Sequence, residues 1–283
     1  EKAGRATRLF SVRLEEAMRQ ALKNGEQTIL LLNRRGYAPF ISCPGCGFLA
    51  KCPRCHVSLV FHQDRRKNLC HLCHYVQDVP SACPKCSSRE LRFLGSGTEK
   101  VEAEAKRLFP GARIARMDRD ATAKQGEHER ILDAFRRRET DILLGTQMVA
   151  KGHDFPEVSV IGVVSADTAL NLADFRAAER TFSLLTQVAG RAGRKDIPGR
   201  VFIQTFSPEH YAIAASRLHD YAGFYRQESE FRRELHLPPF RHLIQIVFSG
   251  KIEPEVFRKA LEFKKRWTDA GADRATGADF MGP

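Results

Sequence analysis

The sequence has 283 residues, of which 42% are hydrophobic and 28% charged, proportions typical of soluble globular proteins. No apolar run approaches the roughly 20 residues that cross a bilayer, and the charged start predicts no secretory signal. The formal net charge of +12 favours an acidic partner such as nucleic acid and fits a solvated basic surface equally well.

The first predicted elements are an amphipathic helix over 11–23 and a buried strand over 28–32. Asn24-Gly25 is a typical helix end. A break at 33–36 follows the strand, and a cysteine-rich window then extends to about residue 88.

After that window, predicted strands and helices alternate. We expect helices over 98–109, 127–138 and 177–188, and strands over 113–117, 141–144, 158–164 and 199–206. Strands separated by helices are typical of a parallel sheet with helices on both faces. The predicted fold class is therefore α/β, with the cysteine window as an insertion.

The pattern changes beyond Ser207-Pro208. Two helical stretches over 209–219 and 221–235 lead to a boundary at Pro238-Pro239. A strand over 242–249 and a helix over 254–267 predict part of a further, α+β domain.

All eight cysteines lie in the window as four C-x-x-C pairs: Cys43/Cys46, Cys52/Cys55, Cys70/Cys73 and Cys83/Cys86. One such turn aims two sulfurs at one ion, so eight thiolates fill two closed tetrahedral zinc sites. Two zinc ions bound in this way would lower the net charge to about +8. Zinc-bound thiolates need a reducing compartment, so we expect a cytoplasmic protein. Disulfides are disfavoured by the spacing, and iron is an alternative ion.

The order of the pairs predicts how they share two ions. Residues 57–62 and 67–69 favour the two strands of a zinc-ribbon hairpin. An inner zinc would then bind Cys52, Cys55, Cys70 and Cys73, and an outer zinc Cys43, Cys46, Cys83 and Cys86. A crossed arrangement, with the first pair joining the third, is less favoured because it would split the hairpin. A histidine ligand, from His56, His62, His71 or His74, is less favoured because eight cysteines already satisfy two ions.

A second motif is the string Q-x-x-G-R-x-G-R, which contains Gln187, Arg191 and Arg194. Two arginines three positions apart put both guanidinium groups on one side of a helix end. Arginine there matches the spread negative charge of a transferring phosphoryl group. The alternative is an ordinary basic helix end with a glycine cap.

A third motif, G-T-Q-M-V-A-K-G-H-D-F-P, follows the strand that ends at Leu144. Open α/β sheets bind ligands at this carboxyl edge. Thr146 and Gln147 offer donors for phosphate, Gly152 permits close backbone approach, and Asp154 could hold a ribose hydroxyl. The alternative is an ordinary strand-to-helix loop.

Together these two motifs resemble the second motor lobe of superfamily-2 helicases. The eight cysteines and the strings at 32–37, 118–120 and 174–180 narrow the resemblance to the bacterial primosomal replication-restart helicases, in their carboxyl half. The resemblance covers about residues 11–250, and residues 251–283 resemble the start of that family's carboxyl-terminal domain.

The resemblance implies a RecA-like second lobe within an ATP-driven 3′-to-5′ DNA helicase that acts at stalled forks and D-loops and aids primosome assembly. The zinc module would ride on this lobe. Residues facing ATP would be Gly152, Asp154, Gln187, Arg191 and Arg194, and residues coupling that cleft to DNA would be Thr146, Gln147 and Lys151. The implied partners are branched DNA, single-stranded DNA-binding protein and primosome proteins, near the nucleoid.

The same resemblance gives the domain boundaries. Lobe 2 would comprise 1–42 and 89–207, interrupted by the zinc module over 43–88. A helical linker over 208–238 would lead to the start of a carboxyl-terminal domain over 239–283.

Two departures limit the implied activity. The 283 residues contain no G-x-x-x-x-G-K-[ST] and no D-E-x-H string, so the cradle for ATP and Mg²⁺ belongs to a first lobe. We therefore predict no ATP hydrolysis by this chain alone. Ser165 stands where the family usually has an acid. The alternative function is a non-enzymatic, zinc-stabilised DNA-binding or restart adaptor with weak or lost ATPase activity.

Overall fold

The computed structural model describes residues 9–32, 40–54, 58–62, 66–70, 73, 75–94, 98–117, 126–146, 155–172, 174–190, 198–271 and 277. Within these ranges the helices are α1 (Val12–Lys23), α2 (Thr98–Leu108), α3 (Glu127–Arg136), α4 (Asp167–Leu170), α5 (Ala177–Ala189), α6 (Tyr211–Leu218), α7 (Tyr221–Glu234) and α8 (Glu253–Asp269). The strands are β1 (Gln27–Leu31), β2 (Phe40–Ser42), β3 (Val60–His62), β4 (Lys67–Leu69), β5 (Val76–Asp78), β6 (Arg92–Leu94), β7 (Ile114–Met117), β8 (Ile142–Gly145), β9 (Val158–Val163) and β10 (Arg200–Ile203).

Residue contacts divide the chain into two compact units. The first holds the described residues of Glu1–Pro39, Arg92–Leu172 and Arg176–Gln227, and the second those of Phe40–Leu91, Ala173–Phe175 and Glu228–Pro283. The domain boundaries inferred from the sequence remain a prediction.

The first unit is built on a parallel sheet of five strands in the order β10-β9-β1-β8-β7. Strand β1 lies at the centre and all five of its residues are buried. The alternation of strands and helices predicted this sheet, and the prediction of a parallel sheet with helices is confirmed.

Helices cover both faces of the sheet. Successive residues of a strand point to opposite sides, so each strand contributes side chains to two core clusters. Ile29 and Leu31 of β1 face the cluster that contains residues of α3 and α5. Leu30 and Leu32 face the cluster that contains residues of α1 and α2. The near-continuous apolar strands in the sequence result from this double burial.

Helix α1 shows how local sequence fixes an element of the lobe. The Ser11 hydroxyl caps its start by accepting the Leu14 backbone N–H at 3.3 Å. Gly25, with φ of 70°, follows its C-cap residue, as the Asn24-Gly25 pair predicted. Its face of Leu14, Ala17, Met18 and Ala21 is buried.

The second unit contains an antiparallel sheet of strands β3, β4 and β5. The hairpin of β3 and β4 lies where the sequence predicted it, with Phe61 opposite Asn68. The third strand, β5, was not predicted. It pairs Val76 with Leu69 of β4.

The predicted strand over 242–249 is wrong. Residues 242–250 are described and form neither helix nor strand. Ile244 and Val247 are 87% and 73% exposed. A strand needs a hydrogen-bonded neighbour, and the described residues offer none to this segment. The predicted helix after it is present as α8.

In the described parts of the chain, no helix has the length and apolar character needed to cross a lipid bilayer.

Candidate metal centres and nucleotide-facing edge

Three of the four C-x-x-C pairs share one backbone hydrogen bond among the described residues. The N–H groups of Cys43, Cys70 and Cys83 each donate to the carbonyl five residues ahead, that of Phe48, Tyr75 or Ser88, at 2.8 Å in each case. The first and fourth turns also share a second bond, in which the N–H of Gly47 or Ser87 donates to the carbonyl of the first cysteine. Such a turn brings the two cysteine side chains of a pair to one side.

The left-handed position in these turns explains one residue choice. Gly47 has φ of 71°, and Ser87, at the equivalent place in the fourth turn, has φ of 57°. Glycine adopts this conformation without steric cost, whereas in serine the Cβ crowds the backbone and raises the conformational energy.

The first and fourth pairs form an outer cluster. The sulfur atoms of Cys43, Cys46, Cys83 and Cys86 all lie within 4.8 Å of one another. The Cys43–Cys86 and Cys46–Cys83 sulfur distances are both 3.5 Å. Four sulfurs around zinc at about 2.3 Å are about 3.8 Å apart, so the cluster has the size of a tetrahedral zinc site. A disulfide would require about 2.0 Å.

The second and third pairs form an inner cluster of Cys52, Cys70 and Cys73. The Cys52 and Cys73 sulfur atoms are 3.6 Å apart. Cys55, the predicted fourth ligand, lies outside the described residues. Ala50 and Leu59 pack around the three thiols and keep them from solvent.

The grouping of the sulfur atoms is therefore nested, first pair with fourth and second with third. The crossed alternative would place Cys43 beside Cys70, and the structure does not group them. Among the histidines that the sequence offered as replacements, His62 is described and is in neither cluster, while His56, His71 and His74 lie outside the described residues.

The thiols of the outer cluster cannot all ionise without a cation. The pKa of Cys43 is lowered to about 7, because burial, which raises it, is outweighed by hydrogen bonds from the backbone of Cys46 and Gly45 and from the Cys86 thiol. The backbone N–H of Ser88 lowers the pKa of Cys86, but the sulfurs of Cys46 and Cys43 and burial raise it to about 12. A divalent cation removes this conflict, since four thiolates then share its charge. The donor set therefore fits zinc.

The predicted nucleotide-facing residues fall only partly on described positions. Thr146 directly follows β8, at the carboxyl edge of the sheet, and is half-buried. Gln187 is exposed near the end of α5, which has Gly190 as its C-cap residue. Gln147, Lys151, Gly152, Asp154, Arg191 and Arg194 lie outside the described residues, so their roles remain predictions.

Asp167 is a buried acid at the same edge that the sequence reasoning did not single out. It begins α4, is 2% exposed, and accepts hydrogen bonds from the backbone N–H of Phe206 at 3.0 Å and the Thr205 hydroxyl at 3.0 Å. Burial raises its pKa, although these two bonds act in the opposite direction.

Gln204 was also missed. Its side-chain amide donates to the carbonyls of Leu9 and Val164, both at 2.9 Å, and its oxygen accepts the Ser11 N–H at 2.6 Å. One side chain thus holds the peptide that precedes α1 against the carboxyl edge of β9.

Comparison with known proteins adds to this geometry. The family model described as "Helicase conserved C-terminal domain" matches residues 85–196. The chain is 45% identical over 275 residues to replication restart protein PriA of Bacillus subtilis, which covers 97% of the chain and 34% of the relative. It is 45% identical over 252 residues to PriA of Synechocystis sp. PCC 6803, an alignment that covers 88% of the chain and 30% of the relative. It is 41% identical over 275 residues to PriA of Treponema pallidum, an alignment that covers 97% of the chain and 41% of the relative.

The resemblance to primosomal replication-restart helicases, predicted from the motifs, is thereby confirmed, in the carboxyl half of those proteins. The chain spans about a third of the length of the curated relatives it matches. Among solved structures, the helicase domain of Pyrococcus furiosus Hef is similar at 19% identity and a TM-score of 0.32, over 68% of this chain and 24% of that chain. Similarity this distant supports no inference about this chain.

Proposed function

We propose that this chain is the second motor lobe, with its zinc module, of an ATP-dependent 3′-to-5′ DNA helicase that restarts replication at stalled forks and D-loops. The single observation that carries the proposal is the position of the motifs. Residues 85–196, which match a helicase carboxyl-terminal domain, include both predicted nucleotide motifs, and Thr146 of the first directly follows the buried strand β8.

In this proposal the arginines act on ATP held by another lobe. Arg191 and Arg194 stabilise the charge that develops on the transferring phosphoryl group, and Gln187 orients the groups around it. A correctly placed arginine contributes roughly 10³–10⁵ in rate. Gly152 allows the backbone to approach the nucleotide and Asp154 holds the ribose. The phosphate cradle and Mg²⁺ come from the first lobe, whose motifs this sequence lacks.

The remaining residues of the first motif link the cleft to DNA. Thr146, Gln147 and Lys151 couple ATP turnover to movement of the strand. Support comes from the position of Thr146, which is half-buried and directly follows β8 at the carboxyl edge of the sheet. The net charge of +12, or about +8 with two zinc ions, suits a polyanionic partner.

Two zinc ions have a structural role in the proposal. The inner ion, bound by Cys52, Cys55, Cys70 and Cys73, staples the zinc ribbon of β3 and β4. The outer ion, bound by Cys43, Cys46, Cys83 and Cys86, joins the two ends of the module. The core cluster around the inner thiols contains few large apolar residues, so each ion would contribute roughly 10 kcal/mol to folding.

We place the intact protein in the bacterial cytoplasm, at the nucleoid, where thiolates stay reduced and branched DNA is available. Its protein partners would be single-stranded DNA-binding protein and the primosome proteins that reload the replicative helicase. These partners follow from the resemblance and are part of the proposal.

A chimera tests the proposal. This chain replaces the aligned 275 residues of the B. subtilis relative, and DNA-dependent ATP hydrolysis and unwinding of a forked duplex are measured. We expect both activities in the chimera and neither in the isolated chain. Forked DNA bound by a zinc-loaded chimera that neither hydrolyses ATP nor unwinds DNA would favour the adaptor function instead.

A further inference from the structure

A buried ion pair lies near the end of helix α7. The guanidinium of Arg232 donates through Nε and Nη2 to Oε1 of Glu228, at 2.7 Å in both cases. The two side chains are only 11% and 8% exposed. Burial of both partners is costly unless the pair is well aligned and further bonded, so this arrangement is not an ordinary surface pair.

Arg232 makes two further contacts. Its Nη1 donates to the carbonyl of Pro238 at 3.3 Å, and its Cζ lies 5.2 Å from the ring centroid of Phe175. All four residues belong to the second compact unit. The guanidinium is therefore fixed by its ion pair with Glu228 and lies over the ring of Phe175, the geometry of a cation–π contact.

Phe175 is connected directly to the start of helix α5. Arg176, the next residue, is the N-cap residue of α5, and its side chain makes no capping hydrogen bond. A helix start without a side-chain cap depends on other contacts to fix its first turn. Helix α5 carries Gln187 and ends just before Arg191 in the sequence.

We propose that Arg232 is a positioning residue: fixed by Glu228, its guanidinium holds Phe175 and thereby the peptide that enters α5. The significance of that hold for ATP turnover rests on the proposed function, because α5 leads to the predicted arginine pair. The contact between Arg232 and Phe175 is a property of this chain and needs neither nucleotide nor DNA.

Hydrogen exchange of this chain, without nucleotide or DNA, tests the hold. Arg232→Met removes the charge but keeps much of the stem, and Phe175→Leu removes the ring while leaving the ion pair intact. Either change should speed exchange of the first hydrogen-bonded amides of α5, those over 180–184, about tenfold, the size expected for one partly desolvated cation–π contact. The double variant should exchange no faster than the single variants.

The matched control is Arg258→Met, which breaks an i,i+4 pair with Glu262 of the same 2.7 Å length but exposed on α8. It should leave exchange over 180–184 unchanged. The proposal would be overturned if Phe175→Leu left exchange over 180–184 unchanged, or if it raised exchange equally over 180–184 and over β1. Phe175→Leu serves as the second route if Arg232→Met leaves Glu228 unpaired and unfolds the chain.

A kinetic measurement separates positioning from stability. In the chimera, Phe175→Leu should lower kcat several-fold with the KM for ATP unchanged. An unchanged kcat would overturn the positioning role. A chimera that is inactive without any substitution contradicts the proposed function, and the exchange result then decides the role of Arg232 separately.

Discussion

The sulfur atoms of Cys43 and Cys86 lie 3.5 Å apart, although the two residues are 43 positions apart in the sequence. This proximity joins the two ends of the cysteine window through one cluster. It also separates the nested arrangement from the crossed one, because each arrangement assigns a different pair of cysteines to a shared ion.

Metal analysis of double variants tests the nested assignment. The zinc-loaded chain should contain two zinc ions. Cys43→Ser with Cys83→Ser removes two ligands from one nested site, so one zinc should remain, because the inner cluster is intact. Cys43→Ser with Cys70→Ser damages both nested sites, and less than one zinc should remain.

The crossed arrangement predicts the reverse of these two results. In that case the Cys43/Cys70 variant would keep one zinc and the Cys43/Cys83 variant would lose both. A coloured, iron-containing sample would contradict zinc as the ion.

Two substitutions at equivalent left-handed positions should have opposite effects on the zinc affinity of the outer site. Gly47→Ala adds a Cβ at φ of 71° and Ser87→Gly removes one at φ of 57°. The left-handed conformation costs a residue with a Cβ about 1–2 kcal/mol. Gly47→Ala should therefore weaken the outer site and Ser87→Gly should strengthen it, each by about tenfold in zinc affinity measured against a competing chelator.

Neither of these variants touches a sulfur atom, so the number of zinc ions bound should stay at two. Equal affinities for Ser87→Gly and the unaltered chain would contradict strain at this turn.

Gly162 allows α1 to pack closely on strand β9. A Cβ at this position would lie 2.9 Å from both methyl carbons of Leu14 and from Cδ2 of Leu30. Gly162→Ala should lower the free energy of unfolding by about 1–3 kcal/mol, because the buried side chains must move to make room. Urea titration measures the effect.

The control is Gly111→Ala, where a Cβ would meet no atom within 4 Å. It should change the free energy of unfolding by about 0.5 kcal/mol or less. Equal effects of the two substitutions would contradict the close packing of α1 on β9.

Asp167 should give the fold a specific pH dependence. Its folded pKa is raised by burial, so between its unfolded pKa of about 3.9 and its folded pKa the native chain binds more protons than the unfolded chain. The contribution of Asp167 to stability therefore falls as pH rises through that window and levels off above it.

The measurement is the difference in the free energy of unfolding between the unaltered chain and Asp167→Asn from pH 4 to 7. Asn keeps an oxygen that accepts the Phe206 N–H and does not ionise. The unaltered chain should lose stability relative to the variant as pH rises. A constant difference, or one that grows in favour of the unaltered chain, would contradict the raised pKa.

The hydrophobic pattern predicted the sheet well because burial on both faces leaves a strong signal. Strand β9 was expected over 158–164 and spans Val158–Val163, and α1 was expected over 11–23 and spans Val12–Lys23. The same signal misled at 242–249, where apolar residues are exposed and no described strand is available to pair with them. Strand β5 was missed because exposed Val76 and Asp78 give no burial pattern.

The metal site was more predictable than the buried polar groups. Four repeated C-x-x-C turns indicated the candidate ligands, and the hairpin predicted between the second and third pairs favoured their nested grouping. Asp167 and Gln204 act through partners far away in the sequence, at distances of 39 and 195 positions for Phe206 and Leu9. A single sequence contains no local pattern that links such residues.

The proposed function depends most on Arg194 acting on ATP held by another lobe, and the chimera with the B. subtilis relative measures this directly. Arg194→Ala should lower the kcat of DNA-dependent ATP hydrolysis by roughly 10³-fold or more, with zinc content and DNA affinity unchanged. The control Arg130→Ala, which removes an exposed arginine paired with Glu127, should retain full activity. ATP hydrolysis at an unchanged rate in the Arg194→Ala chimera would contradict the central claim.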